Sequence, residues 1–206
     1  MLLPEIGPDC PKCPRLCAFR SANRQAFPHY HNAPVAGFGP VQARLAIIGL
    51  APGLHGANCT GRPFTGDYAG DLLYASLGRF AMLSGSYNRA GGDDMQLVDC
   101  RIVNAVRCVP PQNKPLGDEI NNCREYLAQE LSAMANLRVI LALGGIAHRT
   151  ILRMLRLKAT SYPFTHGQNW SIEAADHWPG QRRLMLYSSY HCSRYNVNTK
   201  RLSAAM

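Results

Sequence analysis

Acidic residues are scarce in this sequence. Its 206 residues include 13 Asp and Glu against 22 Lys and Arg, a formal net charge of +9. That balance excludes an acidic-surface role and favours a polyanionic partner such as nucleic acid, although a merely basic soluble protein would share it. Long apolar runs are missing too. None reaches the roughly 18 to 20 residues of a membrane span, and the opening MLLPEIGPDC has neither the basic flank nor the apolar centre of a signal peptide. A cytoplasmic protein with no membrane partner is expected. Two phosphate-binding signatures are also absent. GLAPGLHG, from position 49, lacks the G-x-G-x-x-G spacing, and no Gly-Lys-Ser/Thr follows its glycines, so neither a dinucleotide fold nor a P-loop is indicated. There is no internal repeat or low-complexity tail, and the length suits one domain, residues 1–206, acting as a monomer.

Cysteine, by contrast, is plentiful, with eight in the chain. Without an export signal these thiols stay reduced, which argues against structural disulfides and for a metal. CPKCPRLC sets Cys10, Cys13 and Cys17 in a C-x2-C-x3-C array, and RCVPPQNKPLGDEINNC sets Cys108 and Cys123 around a fourteen-residue excursion. A C-x2-C pair brings two thiolates to one centre from a single turn, and a distant pair completes four-coordination. Cys10, Cys13, Cys108 and Cys123 are therefore the expected ligands. Cys17 is the substitute, since four residues after Cys13 it shares that helix face. Small buried apolar residues are the alternative, and the better one for Cys17, Cys59, Cys100 and Cys192. Spacing alone does not separate zinc from iron and sulfur.

Four short apolar runs have β character: RLAIIGL (44–50), LVDCRIVNAV (97–106), LRVILALG (137–144) and RRLMLYSSY (182–190). Helical stretches lie between them at 69–83, 118–135 and 145–157. Near-continuous apolar strands alternating with helices predict a three-layer α/β/α domain with a central parallel sheet. Ligands of such sheets bind beyond the carboxyl ends of the strands. There the runs deliver the glycine-rich loop GLAPGLHGANCTGRPFTGD (49–67), then Asn104 and Cys108, then Gly144 and Gly145, and finally His191.

Together, GLAPGLHGANCTGRPFTGD, NAVRCVPP with a second cysteine fifteen positions after Cys108, and HCSRYNVNTKRL resemble the motifs of the uracil-DNA glycosylase superfamily. Within it the chain looks most similar to family 5, the type B enzymes that carry an iron–sulfur cluster, and the resemblance runs from CPKCPRL to KRL. It implies a four-stranded parallel sheet flanked by helices, an N-terminal segment bearing a 4Fe–4S cluster, and removal of uracil and other deaminated bases, such as hypoxanthine, from DNA. It also implies that Cys10, Cys13, Cys108 and Cys123 hold that cluster in a structural role. Two positions matter for this likeness. Leu50 stands where family 4 enzymes carry an acid, as in family 5, and Cys192 replaces the proline of the family's His-Pro-Ser.

A glycosidic bond to a base inside the stack is inaccessible, so the base must be flipped out. The bond then breaks with oxocarbenium character, which calls for donors to the leaving base and a placed water on the sugar side. His191 is the expected donor to the base's O2, and Asn104 the reader of its edge, with one donor and one acceptor. Phe64 resembles the aromatic on which the flipped base stacks, and backbone near Gly49, Ala51 and Gly53 can approach the substrate closely. Asp67 corresponds, by resemblance, to the family's acid in F-T-G-D, though it also stands where a helix N-cap would. Arg194, Lys200 and Arg201 are expected on the DNA, with Tyr195 wedged into the vacated stack, and Arg15 and Arg20 on phosphates if the cluster sits near the DNA backbone. The competing reading is a non-catalytic, metal-stabilised nucleic-acid-binding module, which would need neither His191 nor Asn104.

Overall fold

The computed structural model describes residues 3, 5–173 and 183–203. In chain order the elements are α1 (Pro14–Ala26), β1 (Leu45–Gly49), α2 (Ala57–Thr60), α3 (Tyr68–Arg79), β2 (Leu83–Ser84), β3 (Gln96–Leu97), β4 (Cys100–Asn104), α4 (Gly117–Ala133), β5 (Val139–Leu143), α5 (Gly145–Met154), β6 (Asn169–Glu173), β7 (Arg183–Ser189) and α6 (Arg194–Asn198). No helix among the described residues is long and apolar enough to cross a membrane.

The main sheet has the order β4-β1-β5-β7-β6. Its first four strands are parallel and correspond to the four apolar runs. Position 182, which opens the last run, lies outside the described residues. The fifth strand, β6, pairs antiparallel with β7 at the sheet edge and is an addition to the expected four. The run at 97–106 divides into β3 and β4. Asp99 adopts a left-handed φ of 54° between them, and its carboxylate accepts from the Arg44 backbone N–H at 2.8 Å and from Arg44 Nε at 2.6 Å.

Strand residues alternate between two cores, as the period of two requires. Ala46 and Ile48 of β1 join α4 and α5 through Leu127, Leu131, Ile151 and Leu152. Ile47, between them, joins α3 through Leu73, Tyr74 and Leu77. With both faces covered, the strands have no polar side to show, which explains their unbroken hydrophobicity.

The connector before β1 is pinned to the sheet by a buried ion triad. Glu130 of α4, its side chain 3% exposed, accepts from Arg101 Nε at 2.7 Å and from Arg107 Nη2 at 2.8 Å. Those guanidiniums also donate to the carbonyls of Gly37 and Gly39, and of Val35. Replacing Glu130 by Gln leaves two buried cations without their counter-charge. The expected loss of stability is about 3–5 kcal/mol, read from the denaturant midpoint; a loss within experimental error would show that the triad is not holding the connector.

Candidate active site and cysteine cavity

A cavity of about 490 Å³ opens at the carboxyl ends of the parallel strands, within the range of small-ligand sites. Leu50–Gly53 reach it after β1, Asn104 ends β4, Gly144–Ala147 begin α5, and His191 follows β7. Gly144 caps α5 without a side chain, so the first N–H groups of that helix face the cavity unsatisfied.

Asn104 is 3% exposed, and its amide makes no hydrogen bond among the described residues. The amide lines the cavity, where water or a ligand can bond its donor and acceptor. Gly49 is the residue that permits this packing: a Cβ there would collide with Asn104 Oδ1 and lie 2.8 Å from Phe64 Cε2. Phe64 is held at a left-handed φ of 55°, backbone strain of the kind that concentrates at functional sites. Its ring stacks with His191, centroids 5.6 Å apart at 27°.

Burial pushes His191 below its usual value of 6.5, with the nearby Asp67 carboxylate opposing the shift. The His191 loop is fixed by Asn196 Nδ2, which donates to the His191 carbonyl at 2.8 Å, and by Ser193, whose hydroxyl caps α6. Cys192, at the family's proline position, packs into the apolar core beside α3. Burial pushes its thiol up to about 12, so it is an inert filler rather than a nucleophile.

Asp67 divides its two oxygens. Oδ1 accepts from the Ala69 N–H at 3.0 Å and caps α3. Oδ2 faces the glycine-rich loop, where a Cβ on Gly53 or Gly56 would lie 3.1 or 2.5 Å from it. The capping alternative is thus realised with one oxygen, while the other remains in the cavity wall.

The sequence motifs missed Tyr68 and Asn113, which also line the cavity. Asn113 sits in the turn PPQN with Gln112, at φ values of 57° and 56°. Proline density there signalled a turn, not a site. Arg194 reaches the rim and places its guanidinium 5.4 Å from the Tyr68 ring centroid. Next to it, Tyr195 is 63% exposed, and Arg201 lies over the Tyr195 ring at 5.6 Å; Lys200 is exposed beside them. The two N-terminal arginines are engaged elsewhere. Arg15 pairs with Glu119 at 2.7 Å and donates to the Lys114 carbonyl at 3.0 Å. Arg20 is 6% exposed, so burial removes it from the reach of a phosphate.

Behind the loop, Cys10, Cys13, Cys17, Cys108 and Cys123 line a second, small cavity. Three of these sulfurs accept from an N–H donor. Arg20 Nη1 donates to Cys108 Sγ at 3.7 Å, the Arg107 backbone N–H to Cys123 Sγ at 3.3 Å, and Asn122 Nδ2 to Cys13 Sγ at 3.7 Å. The Tyr126 hydroxyl lies 4.0 Å from Cys10 Sγ. Cys17 behaves differently, its S–H donating to the Cys10 carbonyl at 3.2 Å. Burial pushes Cys108 up to about 12, and Cys13 and Cys123 upward as well, so thiolates form here only against positive charge. Among the described residues no three His, Cys, Asp or Glu side chains are grouped to hold one metal ion.

The two cavities share a wall. Backbone N–H groups of Ala105 and Val106 donate to the carbonyls of Gly49 and Leu50, both at 2.9 Å, so the β1–β4 ladder runs on into the loop. Ala51, which lines the larger cavity, packs on a cluster built from Leu16, Val106, Ile120 and Cys123.

A family model described as the uracil DNA glycosylase superfamily matches residues 36–206. The type-5 uracil-DNA glycosylase of Thermus thermophilus is 42% identical over 202 residues, covering 96% of this chain and 88% of the relative. That of Mycobacterium leprae is 39% identical over 215 residues, 99% and 90%. A type-4 uracil-DNA glycosylase from Pyrobaculum aerophilum is 30% identical over 158 residues, 76% and 66%.

Proposed function

This chain belongs to the uracil-DNA glycosylase superfamily, beside its type-5 enzymes, and from that membership we propose that the strand-end cavity holds a uracil flipped out of DNA. The protein is a DNA glycosylase, hydrolysing the N-glycosidic bond between uracil and deoxyribose. The observation that carries the placement is the meeting, at one cavity, of an amide with no hydrogen-bond partner among the described residues, an aromatic ring and a desolvated histidine.

In this reading Asn104 Oδ1 accepts from the base N3–H and Nδ2 donates to O4. Cytosine reverses both groups and is refused, because its amine and bare N3 would oppose the amide. Hypoxanthine offers the same neighbouring carbonyl and N–H as uracil, so one amide suits both, and Leu50 sets no acid against the larger base. As the bond to C1′ breaks, its electron pair leaves with the base. A neutral His191 donates an N–H to O2, where negative charge develops. Asp67 Oδ2 faces the sugar, steadying its positive charge and orienting the water whose oxygen bonds to C1′. Tyr195 occupies the vacated stack, and Arg194, Lys200 and Arg201 meet the flanking phosphates.

The residues of the smaller cavity fit a 4Fe–4S cluster on Cys10, Cys13, Cys108 and Cys123. These are the sulfurs that face donors, as ligating thiolates do, whereas Cys17 spends its proton on a carbonyl. When bound, the cluster supplies a rigid brace between α1, α4 and the segment after β4. The protein's own residues perform the chemistry on DNA.

A duplex carrying one uracil, incubated with the protein and then treated with alkali, tests the reading. Strand scission at the uracil is expected, together with a broad absorbance near roughly 400 nm and bound iron. Tight binding without scission would instead favour the metal-stabilised binding module, and a colourless protein holding stoichiometric zinc would remove the cluster.

A further inference from the structure

Arg20 stands apart from the other buried guanidiniums. Arg101 and Arg107 both hold the Glu130 carboxylate. Arg20, equally removed from solvent at 6% exposure, has no ion-pair partner among the described residues. Asp9, the acid that feels its charge, is bonded to Arg24 at 2.6 Å instead. Of the Arg20 nitrogens, Nη2 donates to the Cys10 carbonyl at 3.1 Å, Nη1 to Cys108 Sγ at 3.7 Å, and Nε has no partner among the described residues.

A buried cation without an anion is strongly unfavourable, and such groups are retained where a counter-charge arrives. Carbonyl capping alone does not require a guanidinium, since a neutral amide would serve. The groups that Arg20 faces are sulfurs and backbone of the cysteine cavity, and four thiolates around a 4Fe–4S core are anionic overall. We propose that Arg20 is the built-in counter-charge of the cluster, binding the Cys108 thiolate directly. This inference rests on the cluster reading above. It gives the residue a positioning role, with no part in the reaction on DNA.

The test compares wild type with Arg20→Met and Arg20→Lys, each in iron-free and anaerobically reconstituted form. Methionine keeps an apolar stem while deleting the charge, so iron-free R20M is expected to melt no lower than iron-free wild type. Loaded R20M is expected to lose its visible absorbance and iron to a chelator about 10-fold faster than loaded wild type. R20K, which keeps the charge without the fork, should fall between them. Equal retention in wild type and R20M would overturn the proposal, and so would an equal drop in melting temperature with and without iron, which would mark Arg20 as ordinary packing. Failure of wild type itself to take up iron would sink the cluster reading first, a result visible before any variant is made.

Discussion

Asparagine in place of Asp67 is expected to lower kcat on a uracil-containing duplex by about 100-fold and to leave the melting temperature nearly unchanged. Both expectations follow from the divided carboxylate. An Asn Oδ1 caps a helix about as well as an Asp Oδ1, so the bond to the Ala69 N–H survives the exchange. What disappears is the negative charge on the oxygen that faces Gly53 and Gly56, and with it the group proposed to stabilise a cationic sugar. Asp67→Ala removes the cap as well, costing about 1 kcal/mol of stability in addition. Steady-state kinetics and thermal melts of the pair separate the roles: D67N with near wild-type kcat would reduce Asp67 to a helix cap.

Removing the imidazole, as in His191→Ala, is expected to cost about 100- to 1000-fold in kcat, the usual effect of deleting one preorganised donor to a developing anion. Its pH dependence is the sharper test. Burial disfavours the charged imidazole and pushes His191 below 6.5, while Asp67 pulls the other way. The neutral donor therefore prevails at pH 7, and the acid limb of kcat/KM should lie below pH 6.5. In D67N the opposing charge is gone, so that limb should move to still lower pH. Stability follows the same sign. Because the folded-state value is depressed, the unfolded chain binds the proton more readily, and stability is lost as pH falls from about 6.5 toward the folded-state value. An acid limb above pH 6.5, or one that rises in D67N, would contradict the neutral-donor mechanism.

The central sheet was legible because its four parallel strands are covered on both faces, which leaves continuous apolar runs. β6 left no such trace. In NWSIE only Ile172 is fully buried, as befits an edge strand with one face outward. The division of 97–106 was hidden for a local reason, Asp99 taking a left-handed turn inside an otherwise apolar stretch. At the site, the strand-end rule brought Asn104, His191 and the glycine loop to one cavity, since topology alone dictates that meeting. Asn113 was unreadable because its place depends on how a proline-rich turn folds back. Arg20 was misassigned to phosphate, for charge in a sequence says nothing about burial. Asp67 remained a choice between two roles; the geometry shows Oδ1 capping α3 and Oδ2 turned to the glycine-rich loop, and the D67N comparison decides the second role.

The contact between Arg20 and Cys108 spans 88 positions of the chain. A ribosome adding about 5 to 20 residues per second needs about 4 to 18 s to cover that distance. Until then Arg20, Cys10 and Cys13 lack the partners that the segment after β4 gives them in the folded chain. Cys123 follows Cys108 by fifteen further positions, so a site built on these four cysteines closes only after more than half of the chain has been synthesised.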